Sequence, residues 1–148
     1  MRIALAALLG ALVLTAFSSA GGQTDVEKEL KKFQGTWTFA SVIAGGKEVP
    51  AAQFKGITVT FEGNKYAVKK GDMVLEAATQ KLDPSKSPKT LDATVVEGPN
   101  KGAVILGIYE ISGDTLKVCF DPEGKKRPTD FKAASGSQTL VVHKRVMK

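Results

Sequence analysis

Few side chains in this sequence could do chemistry, and each has a structural alternative. The chain holds one cysteine and one histidine. Cys119 and His143 lie on two late segments that could share a face, where a thiol and an imidazole would make a nucleophile and its base. No acid to orient the imidazole and no oxyanion-hole motif accompanies them. A lone cysteine is ordinarily a small buried hydrophobe, and an outward strand position is the plain reading of His143. One histidine and one cysteine fall short of a four-ligand metal site, so no metal is expected. The best polar constellation is Arg127-Pro128-Thr129-Asp130. A planar guanidinium suits a carboxylate or phosphate, and a loop at an open end carrying Arg127, Thr129 and Asp130, with Tyr109, is the candidate ligand-binding set. Alternatively, Arg127 pairs with Asp130 and Thr129 only shapes a loop built around proline. Gly-rich phosphate loops, Gly-x-Ser-x-Gly, His-Glu-x-x-His and calcium loops are missing from the sequence. The expectation is therefore a protein that is not an enzyme and needs no cofactor.

The frame that must hold these residues is one domain. The 148 residues are 43% apolar and 24% charged, which excludes a disordered chain and a multidomain enzyme. Residues 1–20 read as an export signal: Arg2, an apolar run over residues 3–17, then the small residues Ser18-Ser19-Ala20. The run is short for a membrane span, which needs about 20 residues. Cleavage near Gly21 would leave residues 21–148, a single exported domain, periplasmic or extracellular, with no span of its own. Its charge would fall from the +6 of the whole chain to +5 with the loss of Arg2. Local lysine patches such as Lys28, Lys31, Lys32, Lys125 and Lys126 point to anionic envelope polymers or to solubility, not to nucleic acid.

Periodicity fills in the elements. Thr24-Asp25-Val26-Glu27 has the form of a capping box, and Val26, Leu30 and Phe33 share a helical face, so residues 25–33 form a short amphipathic helix ended at Gly35. A second short helix is expected over residues 50–55. Most of the remainder alternates with period two. Trp37, Phe39, Ser41 and Ile43 share one face; so do Ile57, Val59 and Phe61, Tyr66 and Val68, Leu91, Ala93 and Val95, and Leu116, Val118 and Phe120. Residues 73–82, 103–111 and 139–143 are strands with less regular alternation. Glycine and asparagine turns join them, all six prolines fall outside them, and Gly107, inside one, signals a bulge or a close backbone approach. The fold class is all-β: an antiparallel up-and-down barrel of about eight strands, closed on itself, with the early helix plugging one end.

Gln34-Gly35-Thr36-Trp37 resembles the Gly-x-Trp opening of lipocalin-like barrels. The fuller resemblance is to an uncharacterised lipocalin-like secreted domain family expanded in planctomycete bacteria. It rests on that run together with Lys81-Leu82-Asp83-Pro84-Ser85-Lys86, Gly98-Pro99-Asn100-Lys101-Gly102, Leu106-Gly107-Ile108-Tyr109-Glu110, Gly113-Asp114-Thr115-Leu116-Lys117-Val118-Cys119 and Arg127-Pro128-Thr129-Asp130-Phe131. Asp130 stands where the family usually has Glu, and Gln80 where it often has an aromatic, which implies a more polar interior wall. The resemblance implies that Trp37 caps the closed end beneath a basic residue of the last strand, Lys144 or Arg145. Gly35, Trp37 and Arg145 are assigned as this plug. Some barrels of that superfamily hold haem through a late-strand histidine; here the outward reading of His143 is preferred.

Two functions follow. The first is a barrel holding a small hydrophobic or amphipathic ligand, its head group anionic and met by Arg127, in a cavity of roughly several hundred Å³. The second is an envelope interaction or structural module whose interior is filled by Trp37, Phe39, Phe61, Tyr66, Leu116 and Phe120.

Overall fold

The computed structural model describes residues 24–134 and 136–147. The expected export signal, residues 1–20, lies outside them. Helix α1 spans Asp25–Phe33, capped by the Thr24 hydroxyl, which accepts from the Glu27 amide at 3.2 Å. Strands follow as β1 (Gly35–Ala44), β2 (Lys47–Glu48), β3 (Ile57–Glu62), β4 (Lys65–Lys70), β5 (Met73–Asp83), β6 (Lys89–Glu97), β7 (Val104–Ser112), β8 (Thr115–Asp121) and β9 (Thr139–Arg145). The second helix is a single turn, α2 (Ala51–Phe54), shorter than expected.

Every strand pair is antiparallel, and from β3 to β9 each strand pairs with its sequence neighbours. β1 pairs with both β3 and β9 and so closes an eight-stranded, lipocalin-like barrel, with β2 a two-residue extension on β1. Closure leaves no long unpaired edge. The hairpin glycines Gly63, Gly71 and Gly113 all take positive φ, as tight turns of this kind require.

Phe33 of α1 enters the bottom of the barrel. It meets Phe61 and Tyr109 edge-on, each with ring centroids 5.1 Å apart. Trp37, Val59, Phe61, Leu91, Val95 and Leu116 are buried around it, so the inward faces of β1, β3, β6 and β8 follow their alternation. Glu29 and Phe33 are the buried residues of the helix and Leu30 packs partly against the core, while Val26, expected on the same face, is exposed.

The expectation that Ile43 shares the face of Trp37 and Phe39 is corrected. β1 carries a bulge between Phe39 and Ser41. One extra residue reverses the parity of everything after it. Ile43 therefore turns outward, where Ile108, Cys119, Leu140 and Ile43 stand as successive cross-strand partners over β7, β8, β9 and β1. Phe131 and Ala133 of the connection at residues 122–138 cover this outer row and make a second small core. That connection is thus strapped to the outer wall.

Gly107 answers the close-approach reading, not the bulge. The β6–β7 and β7–β8 registers run through it without a shift. A Cβ there would stand 3.0 Å from the Cys119 carbonyl and 3.1 Å from Phe120 Cβ, tighter than most Cβ contacts, so the neighbouring strand would have to give way.

Candidate functional site

At the sealed end, one arginine and one indole finish the helix. The last turn of α1 has carbonyls with no partner inside the helix. Gln34 Nε2 donates to the Leu30 carbonyl at 2.7 Å, and Trp37 Nε1 donates to the Phe33 carbonyl at 2.8 Å. Arg145 donates to the carbonyls of Lys32 at 2.8 Å and Gln34 at 2.6 Å. Its guanidinium carbon lies 4.2 Å from the centroid of the Trp37 ring, and its Nε pairs with Asp114 at 3.1 Å. A cation at a helix C-terminus and over an indole face is favourable on both counts. Arg145, not Lys144, therefore covers Trp37; Lys144 points outward to the Thr115 hydroxyl. Gly35, at φ +110°, gives the chain its turn from helix to strand in a backbone conformation that side chains rarely adopt.

Beside this plug sits a buried acid that sequence reasoning missed. Glu29 accepts from Lys32 and Lys89 through one oxygen, at 2.7 and 3.0 Å, and from the Tyr109 phenol through the other at 2.9 Å. Burial opposes its charge, but these three donors hold its carboxyl below the usual range. Burial, with Glu29 alongside, pushes the Tyr109 phenol far up. Tyr109 is therefore an inward residue that ties the barrel to α1.

The polar constellation at residues 127–130 is strapped to the outer wall. Arg127 Nη1 donates to the carbonyls of Leu91 at 2.9 Å and Gly107 at 2.8 Å, while Nη2 pairs with Asp92. Asp130 does not pair with it; its carboxylate accepts from the Lys132 amide at 3.0 Å. Arg127 and Thr129 line an open outer groove of about 630 Å³ with Lys81, Lys86 and Asp92. Arg127, Thr129 and Asp130 are thus not brought together with Tyr109. Asp121 anchors the start of the same connection, accepting from the Ser137 hydroxyl and from the amides of Glu123 and Lys126 at 3.0 and 3.1 Å.

Cys119 and His143 stand on opposite faces, which corrects the shared-face expectation. Cys119 faces outward into the second core, fully buried beside Ala133, and burial raises its thiol above the ordinary value. His143 faces inward and is buried, which corrects its expected outward position. Its ring meets Phe39 edge-on at 4.7 Å, and burial, partly opposed by a polar contact with the Thr38 backbone, lowers its pKa to about 4, leaving it neutral at pH 7.

His143 lines the central cavity, of about 120 Å³, with Phe33, Phe39, Phe61, Tyr66 and Phe120. Aromatic rings occupy much of the interior, and the space left is several-fold smaller than the cavity expected for a ligand-carrying barrel. Its polar wall comes from β5, whose inward row reads Glu76, Ala78, Gln80, Leu82. Gln80 is buried there, in keeping with the more polar wall its position implied. His143 Nδ1 and Gln80 Nε2 are both buried without a hydrogen-bond partner. Burial pushes the Glu76 carboxyl up, and burial beside Glu76 pushes the Tyr66 phenol above its ordinary value. No cluster of histidine, cysteine or acid suited to a metal exists among the described residues.

The fold and this interior define a small closed β-barrel with an apolar cavity and two unsatisfied polar atoms. Comparison with protein-family models, curated proteins and solved structures finds no match to the chain.

Proposed function

We propose that this protein is an exported, non-catalytic barrel that carries a small, mostly apolar molecule in its interior. The observation that carries the reading is the pair of orphaned atoms, His143 Nδ1 on β9 and Gln80 Nε2 on β5, which line one cavity from opposite sides of the barrel. An unmet buried polar group costs about 1–3 kcal/mol, and a guest that offers hydrogen bonds to both atoms would remove that cost. The cavity of about 120 Å³ approaches the roughly 150 Å³ apolar cavity that accepts benzene. A guest of about five or six non-hydrogen atoms is therefore in scale. Arg127 lies on the outer wall and takes no part. The anionic head group it suggested gives way to a neutral one. Export rests on the pattern of residues 1–20, and the non-catalytic reading on the placement of Cys119 and His143 on opposite faces of the barrel wall.

The second reading, a side-chain-filled envelope module, is favoured by the small volume, since ligand pockets usually reach about 300 Å³. Native mass spectrometry of the chain purified from its own envelope separates the two. A retained adduct that is lost in His143→Leu, on a chain starting near Gly21, supports the carrier. A bare mass in wild type supports the module, and recovery of Met1 in a membrane fraction would contradict export.

A further inference from the structure

We propose that Glu76 sets the chemistry of the guest's head group, admitting one that both donates and accepts a hydrogen bond, such as a hydroxyl or primary amide, and excluding a carboxylate. This rests on the interior being a ligand site and goes further by naming the ligand class. Glu76 stands on the inward row of β5, opposite Val68 of β4, and lines the same cavity as His143 and Gln80. Among the described residues its carboxylate has no ion pair, and no side-chain hydrogen bond to it is present. The cavity wall contains no lysine and no arginine. The arginine nearest to an anion-binding role, Arg127, is engaged on the outer wall by Asp92 and two carbonyls.

The three polar groups make a complementary set. Gln80 Nε2 can only donate, so the guest must accept. A Glu76 carboxylate can only accept, so the guest must also donate. His143, neutral and with Nδ1 unmet, can take either role according to its tautomer. A hydroxyl or primary amide carries both a donor and an acceptor. A carboxylate would meet Gln80 but place a second negative charge beside Glu76 in a poorly hydrated space, where like charges repel strongly.

The test uses butyramide and butyrate, matched in size, titrated into the full chain at pH 7 and read by amide chemical shifts of Phe39, Val141 and His143. Butyramide should bind about tenfold or more tightly than butyrate. Any apolar cavity disfavours a carboxylate to some degree, so the decisive measurement is the change on removing the charge. Glu76→Gln, and Glu76→Leu as a second variant in case one fails to fold, should narrow the ratio to roughly threefold. A ratio unchanged in whichever variants fold, or butyrate binding as well as butyramide to wild type, would overturn the role of Glu76 while leaving the cavity a binding site. Shifts that respond to neither probe would overturn the underlying reading, and this proposal with it.

Discussion

Replacing Trp37 by alanine would remove a fully buried ring, the donor to the Phe33 carbonyl and the surface on which Arg145 rests. Burial alone sets the loss at about 3–5 kcal/mol, and chemical denaturation should show it as a lowered midpoint; a midpoint close to wild type would contradict the plug. His143 gives a second, pH-dependent expectation. Its folded pKa of about 4 lies below the unfolded value of 6.5. The unfolded chain therefore binds more protons between these values, and the contribution is full above pH 6.5 and lost as pH falls toward 4. The loss is on the order of 3 kcal/mol. Glu29, also depressed, adds its loss mainly below its ordinary value of 4.5. Glu76, raised, runs the other way and loses its contribution as pH rises above 4.5. His143→Leu should therefore lose less stability than wild type as pH falls from 6.5 to 4. Equal slopes would place the imidazole in contact with water. The sequence supports the Trp37 assignment directly, because an aromatic at a helix–strand junction has few other places to go. The inward face of His143 was harder to read: the bulge at residues 39–41 lies on β1, and nothing on β9 announces which face its partner strand presents.

Elements explain why Arg127 looked like a ligand residue. From sequence, a proline-rich connection with an arginine and an acid three residues apart suggests either a site or an internal pair. The partners found, the carbonyls of Leu91 and Gly107 and the acid Asp92, come from β6 and β7 and are invisible to local spacing. The connection holds Phe131 and Ala133 over the outer apolar row, so loosening it should uncover Cys119. In Arg127→Ala, a thiol reagent should label native Cys119 several times faster than in wild type, where burial shields it and disfavours the thiolate. Labelling that stays as slow as wild type would mean the strap is held by its apolar contacts alone. Helix α1 was legible to the residue, from its cap through its end. Its buried acid was not, because Glu29 lies beside the apolar stripe and its partners, Lys89 and Tyr109, are distant in sequence.

At the scale of the whole molecule, alternation and turn chemistry were enough to predict a closed antiparallel barrel, since eight short amphipathic strands joined by hairpins have few ways to bury one face each. The character of the interior was only partly legible. Gln80 hinted at a polar wall, and counting by twos from Leu82 through Gln80 and Ala78 reaches Glu76, so the signal existed once that register was anchored. The amount of space left between the rings was beyond reach, because packing depends on the rotamers of Phe33, Phe39, Phe61 and Phe120 together. On the proposed function this space is a site for a guest held by His143 and Gln80. The most direct measurement is a high-resolution crystal structure of the chain purified from its native source. Continuous density is expected in the cavity, larger than a water chain, within hydrogen-bonding distance of both His143 Nδ1 and Gln80 Nε2. Separate ordered waters on those two atoms, or rings collapsed to fill the space, would contradict it.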